Sequence, residues 1–351
     1  MAGTSPWSAS PCVSSCRRVV RARALVVAMS LTASVALAGC TSSPSASSSQ
    51  SPGGQSTARG LTVAGEWPLT GLPAQGSTPK HPVMVVKIDN SDSSQPQIGL
   101  GGADLVTEEL VEGGSTRLAV FFYQHIPKLV GPVRSMRATD IGIVTPAKAV
   151  LVASGGAPPT VRRIRAAHIR TFTEGALGYQ RDDSRQAPYN LFMRLSSLAN
   201  TLKAEKSVPS YLPFGSASDL PAGRPASGLS AVFSGGHTTR WTYAGGKYTN
   251  QFSFAAAGDR FRPDNVLVLR VQVGDAGYLD PAGNHVPETH FTGTGRALLF
   301  HGGRVVRATW KKSLTSTITL TGATGKQLDV PAGHTWVELV PRNGGSVSFS
   351  R

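Results

Sequence analysis

Residues 103–137, ADLVTEELVEGGSTRLAVFFYQHIPKLVGPVRSMR, decide how this chain is read. Gly113-Gly114 lies between two apolar runs, the mark of a two-residue β-hairpin whose primed turn needs positive φ at both central positions. With those glycines as the turn, Glu112 pairs with Ser115, Leu110 with Arg117 and Glu108 with Ala119. Side chains alternate along a strand, so Glu108, Glu112 and Arg117 are expected to project from one face. Val106, Val111, Leu118 and Val120 then furnish the other face or its edges. The stretch gathers Glu108, Glu109, Glu112, Arg117, Arg134 and Arg137 into what otherwise reads as buried strand.

Upstream, residues 81–88 (HPVMVVKI) form a short apolar run of buried-strand type that delivers Asp89-Asn90 into the following loop. Asp89 is either a functional group there or the acceptor of an Asx-turn. After the hairpin, Ala138, Ile141 and Val144 have helical spacing and Pro146 stops that helix. Residues 149–153 (AVLVA) read as another buried strand, and Ser154-Gly155-Gly156-Ala157-Pro158-Pro159 turns into a helix carrying Val161, Ile164 and His168. This strand–turn–helix could hold an anion at its amides, but it is neither a Walker loop nor a dinucleotide fingerprint. A second polar cluster, RDDSRQAPYNLF (181–192), contributes Arg181, Arg185 and Asn190, with a helix expected to start near Asn190. Residues 206–228, rich in Pro, Ser and Gly, read as a linker. From 229 to 351, short β-branched and aromatic runs alternate with GG, DPAGN, GTG and PAG turns, a β meander or sandwich. The expected fold class is therefore α+β: a mixed α/β domain over 61–205, then a smaller, mostly antiparallel β domain over 229–351.

The first 39 residues read as a signal peptide, with Arg17, Arg18, Arg21 and Arg23 ahead of an apolar core. Leu37-Ala38-Gly39-Cys40 resembles a bacterial lipobox, which implies cleavage before Cys40 and diacylglycerol on its sulfur. Residues 40–60 are a Ser/Pro/Gly tether with a root-mean-square reach of about 25 Å. The expected location is the outer face of the bacterial cell membrane, lipid-anchored. Cys12 and Cys16 leave with the signal and Cys40 goes to lipid, so none of the 3 cysteines remains for disulfides, zinc-thiolate sites or nucleophilic catalysis. His285, Glu288 and His290 lack a recognised ligand spacing, and neither a metal nor a cofactor is expected. Loss of the signal lowers the net charge from +15 by its four arginines to +11. A basic protein outside the cytoplasm meets anionic headgroups and wall polymers first. Nothing in the chain looks like an RNA-stacking or DNA-reading module.

PLTG (68–71), VKIDN (86–90), QPQIGLGGADLVTEELVEGGSTR (95–117), GPVRSMR (131–137), ASGG (153–156), APYNLF (187–192) and, later, TWKKS and GKQLDVPAGHTWVELVP (325–341) together resemble the YerB-type bacterial lipoproteins. The resemblance runs from about residue 67 to 341. It implies a lipid anchor, an envelope location and a layout of N-terminal and C-terminal domains, and it carries no activity. Tyr189 departs from the histidine expected in that family's APHNL-like motif.

The polar clusters admit three accounts. In the first, a non-enzymatic binding protein uses Arg117, Arg134 and Arg137, with Arg181 and Arg185, to hold an anionic wall, lipid or peptide ligand, since guanidinium forks match carboxylate and phosphate. Asp89, Glu108, Glu112 and Asn190 complete that candidate site. In the second, a wall hydrolase or transferase uses Asp89, Glu108 and Glu112 as acid/base groups. In the third, arginines and carboxylates pair with one another and hold the fold.

Overall fold

A computed structural model describes residues 65–351. The signal peptide, the tether, Cys40 and residues 61–64 of the expected first domain lie outside the described residues. The fold is built mostly from strands, with few and short helices.

Its frame is a mixed sheet whose middle is a set of buried strands: β1 (Met84–Asn90), β2 (Leu105–Leu110), half-buried only at Leu110, and β3 (Thr116–Phe122). All seven residues of β1 and of β3 are buried, as expected of strands covered on both faces. β3 pairs antiparallel with both β1 and β2. β4 (Val150–Val152) runs parallel to β1, and β5 (Thr171–Phe172) parallel to β4 at the sheet edge. On the other side, β2 pairs in parallel with the Thr335–Pro341 strand. The Asn265–Leu279, Gly293–His301, Arg304–Lys312 and Thr319–Gly322 strands continue the same sheet. One sheet thus passes through both expected domains. Segment 206–228 is structured as well: Arg224–Pro225 pairs with the Arg304–Lys312 strand of this sheet, and Phe214–Gly215 forms a separate two-stranded sheet with Val330–Pro331.

Each face of this sheet has its own cover. Leu105, Ala119 and Phe121 pack with Met136, with Ile141, Ile143 and Val144 of α1 (Asp140–Val144), and with Ile164 of α2 (Pro158–Ala166). On the opposite face, Val106, Leu118 and Val120 pack with Leu229, Ala231, Trp241 and Tyr248 of a four-stranded antiparallel sheet. That small sheet runs in the order Lys247–Asn250, Thr238–Ala244, Gly228–Val232, Ser346–Ser350.

Two local expectations need correction. The 103–137 hairpin forms, but its loop has three residues, Glu112-Gly113-Gly114, closed by Val111 N–H donating to the Ser115 carbonyl at 2.9 Å. Gly113 and Gly114 do take the positive φ that glycine permits, +70° and +73°. The extra loop residue shifts the pairing by one: Glu108 stands opposite Leu118, Glu109 opposite Arg117, and Leu110 opposite Thr116. A one-residue shift exchanges the faces of a strand, so Arg117 faces the helices with Glu109, not with Glu108. Asn190 begins no helix either. It precedes a strand at Leu191–Met193, and the helix comes later, at Leu195–Ala199.

Candidate functional site

Glu108 and Glu109 are adjacent in sequence and fully buried, and strand alternation sends them to opposite sides of the sheet. Two separate polar systems result.

Under the helices, Lys87 from β1 reaches Glu109 at 2.5 Å and Asp140 of α1 at 2.8 Å, all three side chains wholly inaccessible. Burial raises the Glu109 carboxyl, opposed by the charge of Lys87. Burial alone would lower the Lys87 ammonium, but Asp140 and Glu109 lift it above its ordinary value. Nearer the hairpin loop, Glu112 sits between two guanidiniums. Arg117 Nη2 donates to its Oε1 at 2.9 Å, Arg137 Nε donates to its Oε2 at 3.0 Å, and Arg137 Nη2 also bonds Oε1. Two further donors of this pair turn to backbone, Arg117 Nη1 to the Ser135 carbonyl and Arg137 Nη1 to the Met136 carbonyl, while Arg117 Nε is buried without a hydrogen-bond partner among the described residues. Burial, with Arg137 and its positive charge alongside, lowers Arg117 to about 10. Burial alone would raise Glu112, and Arg117 and Arg137 reverse this to leave it below the usual carboxylate range. Asp89 receives Arg134 Nε at 2.9 Å and closes an Asx-turn with Ser91 N–H at 3.1 Å. The Arg134 guanidinium lies 5.2 Å from the ring centre of Tyr189, the residue that departs from the family motif.

Arg137→Lys keeps the charge but removes the planar fork on Glu112. It should lower unfolding stability by about 1–3 kcal/mol, measured by urea titration at neutral pH. Because the folded carboxyl of Glu112 is depressed, its contribution is present above the unfolded value near 4.5 and lost as pH falls through the folded value. The gap between parent and variant should therefore close in acid.

Across the sheet, Glu108 accepts hydrogen bonds from five side chains. His237 Nε2 donates to Oε1 at 2.7 Å, Thr116 Oγ1 at 2.7 Å and Asn90 Nδ2 at 3.1 Å. Thr239 Oγ1 reaches Oε2 at 3.0 Å and Trp336 Nε1 reaches it at 3.2 Å. Gln97 Nε2 donates to Asn90 Oδ1 at 3.1 Å and so fixes that amide's orientation. Glu338 is the register partner of Glu108 on the neighbouring parallel strand, and accepts from Trp241 Nε1 at 2.7 Å. Burial, with the negative charge of Glu108, raises Glu338 well above the carboxylate range, so it keeps its proton. Glu108 stays ionised: burial opposes this, but His237 and Thr116 bring it below its ordinary value. Burial would lower His237, and Glu108 reverses this, raising the imidazole.

This second system opens to solvent. His237, Asn90 and Thr239 line a cleft of about 450 Å³ together with Ser91, Asp92, Gln95, Ser115, Thr238, Asn250 and residues 252–254. The cleft forms where the loop after β1 meets two turns of the small sheet, the position that loops on a rigid scaffold give to functional groups.

The sequence-derived candidates therefore divide. Asp89, Glu112, Arg117, Arg134 and Arg137 come together beneath the helices, while Glu108 joins the cleft on the other side. Three-way acid/base work by Asp89, Glu108 and Glu112 has no common centre in this geometry. Arg181 and Asn190 meet one another, Nη1 to Oδ1 at 2.5 Å, and Arg181 also chelates Glu174. Arg185 caps the carbonyls of Ser94 and Pro96 and stacks over Phe192. Glu288 is bound by both terminal nitrogens of Arg163 at 2.6 Å, and His285 faces Asp275. Sequence reasoning passed over Lys87, His237 and Glu338. Lys87 in VVKI and Glu338 in WVELV do carry a signal, a lone charge inside an apolar strand. His237, in a Ser-Gly-Gly-His turn, has none that separates it from surface loop chemistry.

Comparison with known proteins agrees with this architecture. Residues 69–208 match the model described as "Protein of unknown function (DUF3048) N-terminal domain", and residues 229–337 match the corresponding C-terminal domain. A Bacillus subtilis (strain 168) protein named "Putative lipoprotein YerB" is 26% identical over 289 residues, spanning 78% of this chain and 86% of the relative. The crystal structure of YerB protein from Bacillus subtilis superposes with a TM-score of 0.67 at 22% identity, covering 81% of this chain and 99% of that one. The chain is a member of this two-domain DUF3048 family, to which the YerB-type lipoproteins are related.

Proposed function

We propose that this protein is a non-enzymatic binding protein of the bacterial envelope, held on the outer face of the cell membrane by lipid on Cys40. Its ligand, an anionic component of the wall, occupies the cleft above Glu108 and His237. The cleft is the observation that carries this reading: about 450 Å³ of open space walled by hydrogen-bonding side chains, its floor held by buried Glu108 and its five donors. Preformed polar groups of this kind orient a ligand at low ordering cost. Leu37-Ala38-Gly39-Cys40 and the name of the Bacillus relative support the anchor. Among the described residues no helix is long and apolar enough to cross a membrane.

Cys40→Ala should move the protein from the membrane fraction to the soluble one, or leave it unprocessed, because a single sulfur carries the lipid. Mature Cys40→Ala protein still in the membrane pellet would refute the anchor. Enzymatically solubilised wall fragments should give a calorimetric binding isotherm with the parent protein, and a flat isotherm would refute the binding role. Fragments that emerge shortened would favour a hydrolase or transferase acting on wall material.

A further inference from the structure

The cleft proposed above as the binding site also holds enough chemistry to name its ligand. Taking that binding role as given, we infer that the cleft takes a sugar bearing a carboxylate, with His237 donating from Nδ1 to the carboxylate and Phe252 lying against the sugar ring. Nε2 of His237 is committed to Glu108, and Glu108 is fixed by four further donors, so the imidazole has little freedom to turn. No hydrogen bond among the described residues involves Nδ1, while 14% of the side chain is accessible at the cleft. An imidazolium bound to Glu108 through one nitrogen presents its second N–H outward as a charge-assisted donor.

The rest of the lining fits a polyhydroxylated ring. Hydroxyls and amides of Ser91, Ser115, Thr238 and Asn250 offer both donors and acceptors. Phe252 is 56% exposed, an unusual placement for so large an apolar side chain, and it lies at this cleft. Arg240 stacks beside it, its guanidinium carbon 5.4 Å from the ring centre, which orients the ring. A pyranose has one apolar face for such a ring and a hydroxyl rim for the polar side chains. Charge selects a carboxylate over a phosphate. The acidic groups facing His237 are Glu108 from β2 and Asp92 from the loop after β1, with Glu338 behind Glu108. The His237 charge is already matched by Glu108, so its Nδ1–H serves as a directed donor, and a monoanion meets half the repulsion from Glu108 and Asp92 that a dianion would.

The test compares N-acetylmuramic acid with N-acetylglucosamine, which lacks the carboxylate, by calorimetry on the full-length chain in detergent micelles. At pH 6 the acid should bind at least ten-fold more tightly, and His237→Gln should remove that preference. Since the folded imidazole is raised above 6.5, binding of the acid should be full below that pH and weaken as pH rises through the folded value. Imidazole NMR guards against misfolding of the variant: in the parent, saturation with the acid should raise the His237 titration midpoint further. Equal binding of both sugars, or a His237 midpoint indifferent to the acid, would overturn the inference while leaving the binding role intact. A parent protein that binds wall fragments but not the acid would do the same. A flat isotherm with wall fragments as well would end both.

Discussion

Lys87→Met should cost about 3–5 kcal/mol of folding stability, the range for leaving a buried charge without its partner. The methionine matches the lysine stem in length, so little packing is lost and the effect is electrostatic. What it leaves behind is Glu109 facing Asp140 with the shared cation gone. Both carboxyls are inaccessible, and burial already raises Glu109. Protonation is the only relief, so the variant should recover part of its stability as the pH is lowered toward the carboxylate range. Urea unfolding followed by circular dichroism at pH 7 and pH 5 measures both effects. A loss below about 1 kcal/mol at pH 7 would mean that the triad is not a closed electrostatic unit. Adding Glu109→Gln and Asp140→Asn to Lys87→Met should restore much of the loss, since an uncharged trio leaves no unpaired charge.

Deletion of Gly114 should abolish cooperative folding. The loop length sets the pairing of β2 with β3, and with one residue fewer a three-residue loop can form only if the strands slip by one, which puts Glu108 opposite Arg117 and Glu109 opposite Thr116. Slipping β2 by one would turn Glu109 toward Trp241 and Trp336, away from Lys87, and turn Glu108 away from His237. Two buried charges would then be unpaired, a penalty on the order of the whole 5–15 kcal/mol that holds a domain together. Slipping β3 would instead misplace Arg117 and Thr116. Loss of near-ultraviolet circular dichroism and of a sharp unfolding transition is the expected readout. A deletion variant that unfolds as sharply as the parent would show that the loop can shorten without moving the strands.

A one-residue slip also explains how far the sequence could be read. Gly113-Gly114 announces a hairpin, and the apolar runs announce β1, β3 and β4, because those signals are local. Whether two or three residues make the loop is decided by contacts from elsewhere. Ser234 Oγ donates to the Gly114 carbonyl from 120 positions away, and Lys87 must find Glu109. The cluster of arginines and carboxylates was legible as a cluster, and Glu112 with Arg117 and Arg137 does form one. Its division between two faces was not legible, since one residue of register decides it. The cleft lay further out of reach. His237 meets Glu108 across 129 positions and Trp336 meets it across 228, so no periodicity or spacing links them.

The parallel pairing of β2 with the Thr335–Pro341 strand has a consequence for assembly in time. Contacts this distant give a high contact order, and such topologies fold slowly because long loops must close before their strands gain anything. In a chain made from its N terminus, β2 has β3 on one side and an open edge on the other until nearly the whole chain has followed. Unpaired edges are templates for wrong partners. Glu108 and Glu109 give β2 two adjacent charges during that wait, one on each face, which oppose stacking with another chain until the last long strand arrives and buries them.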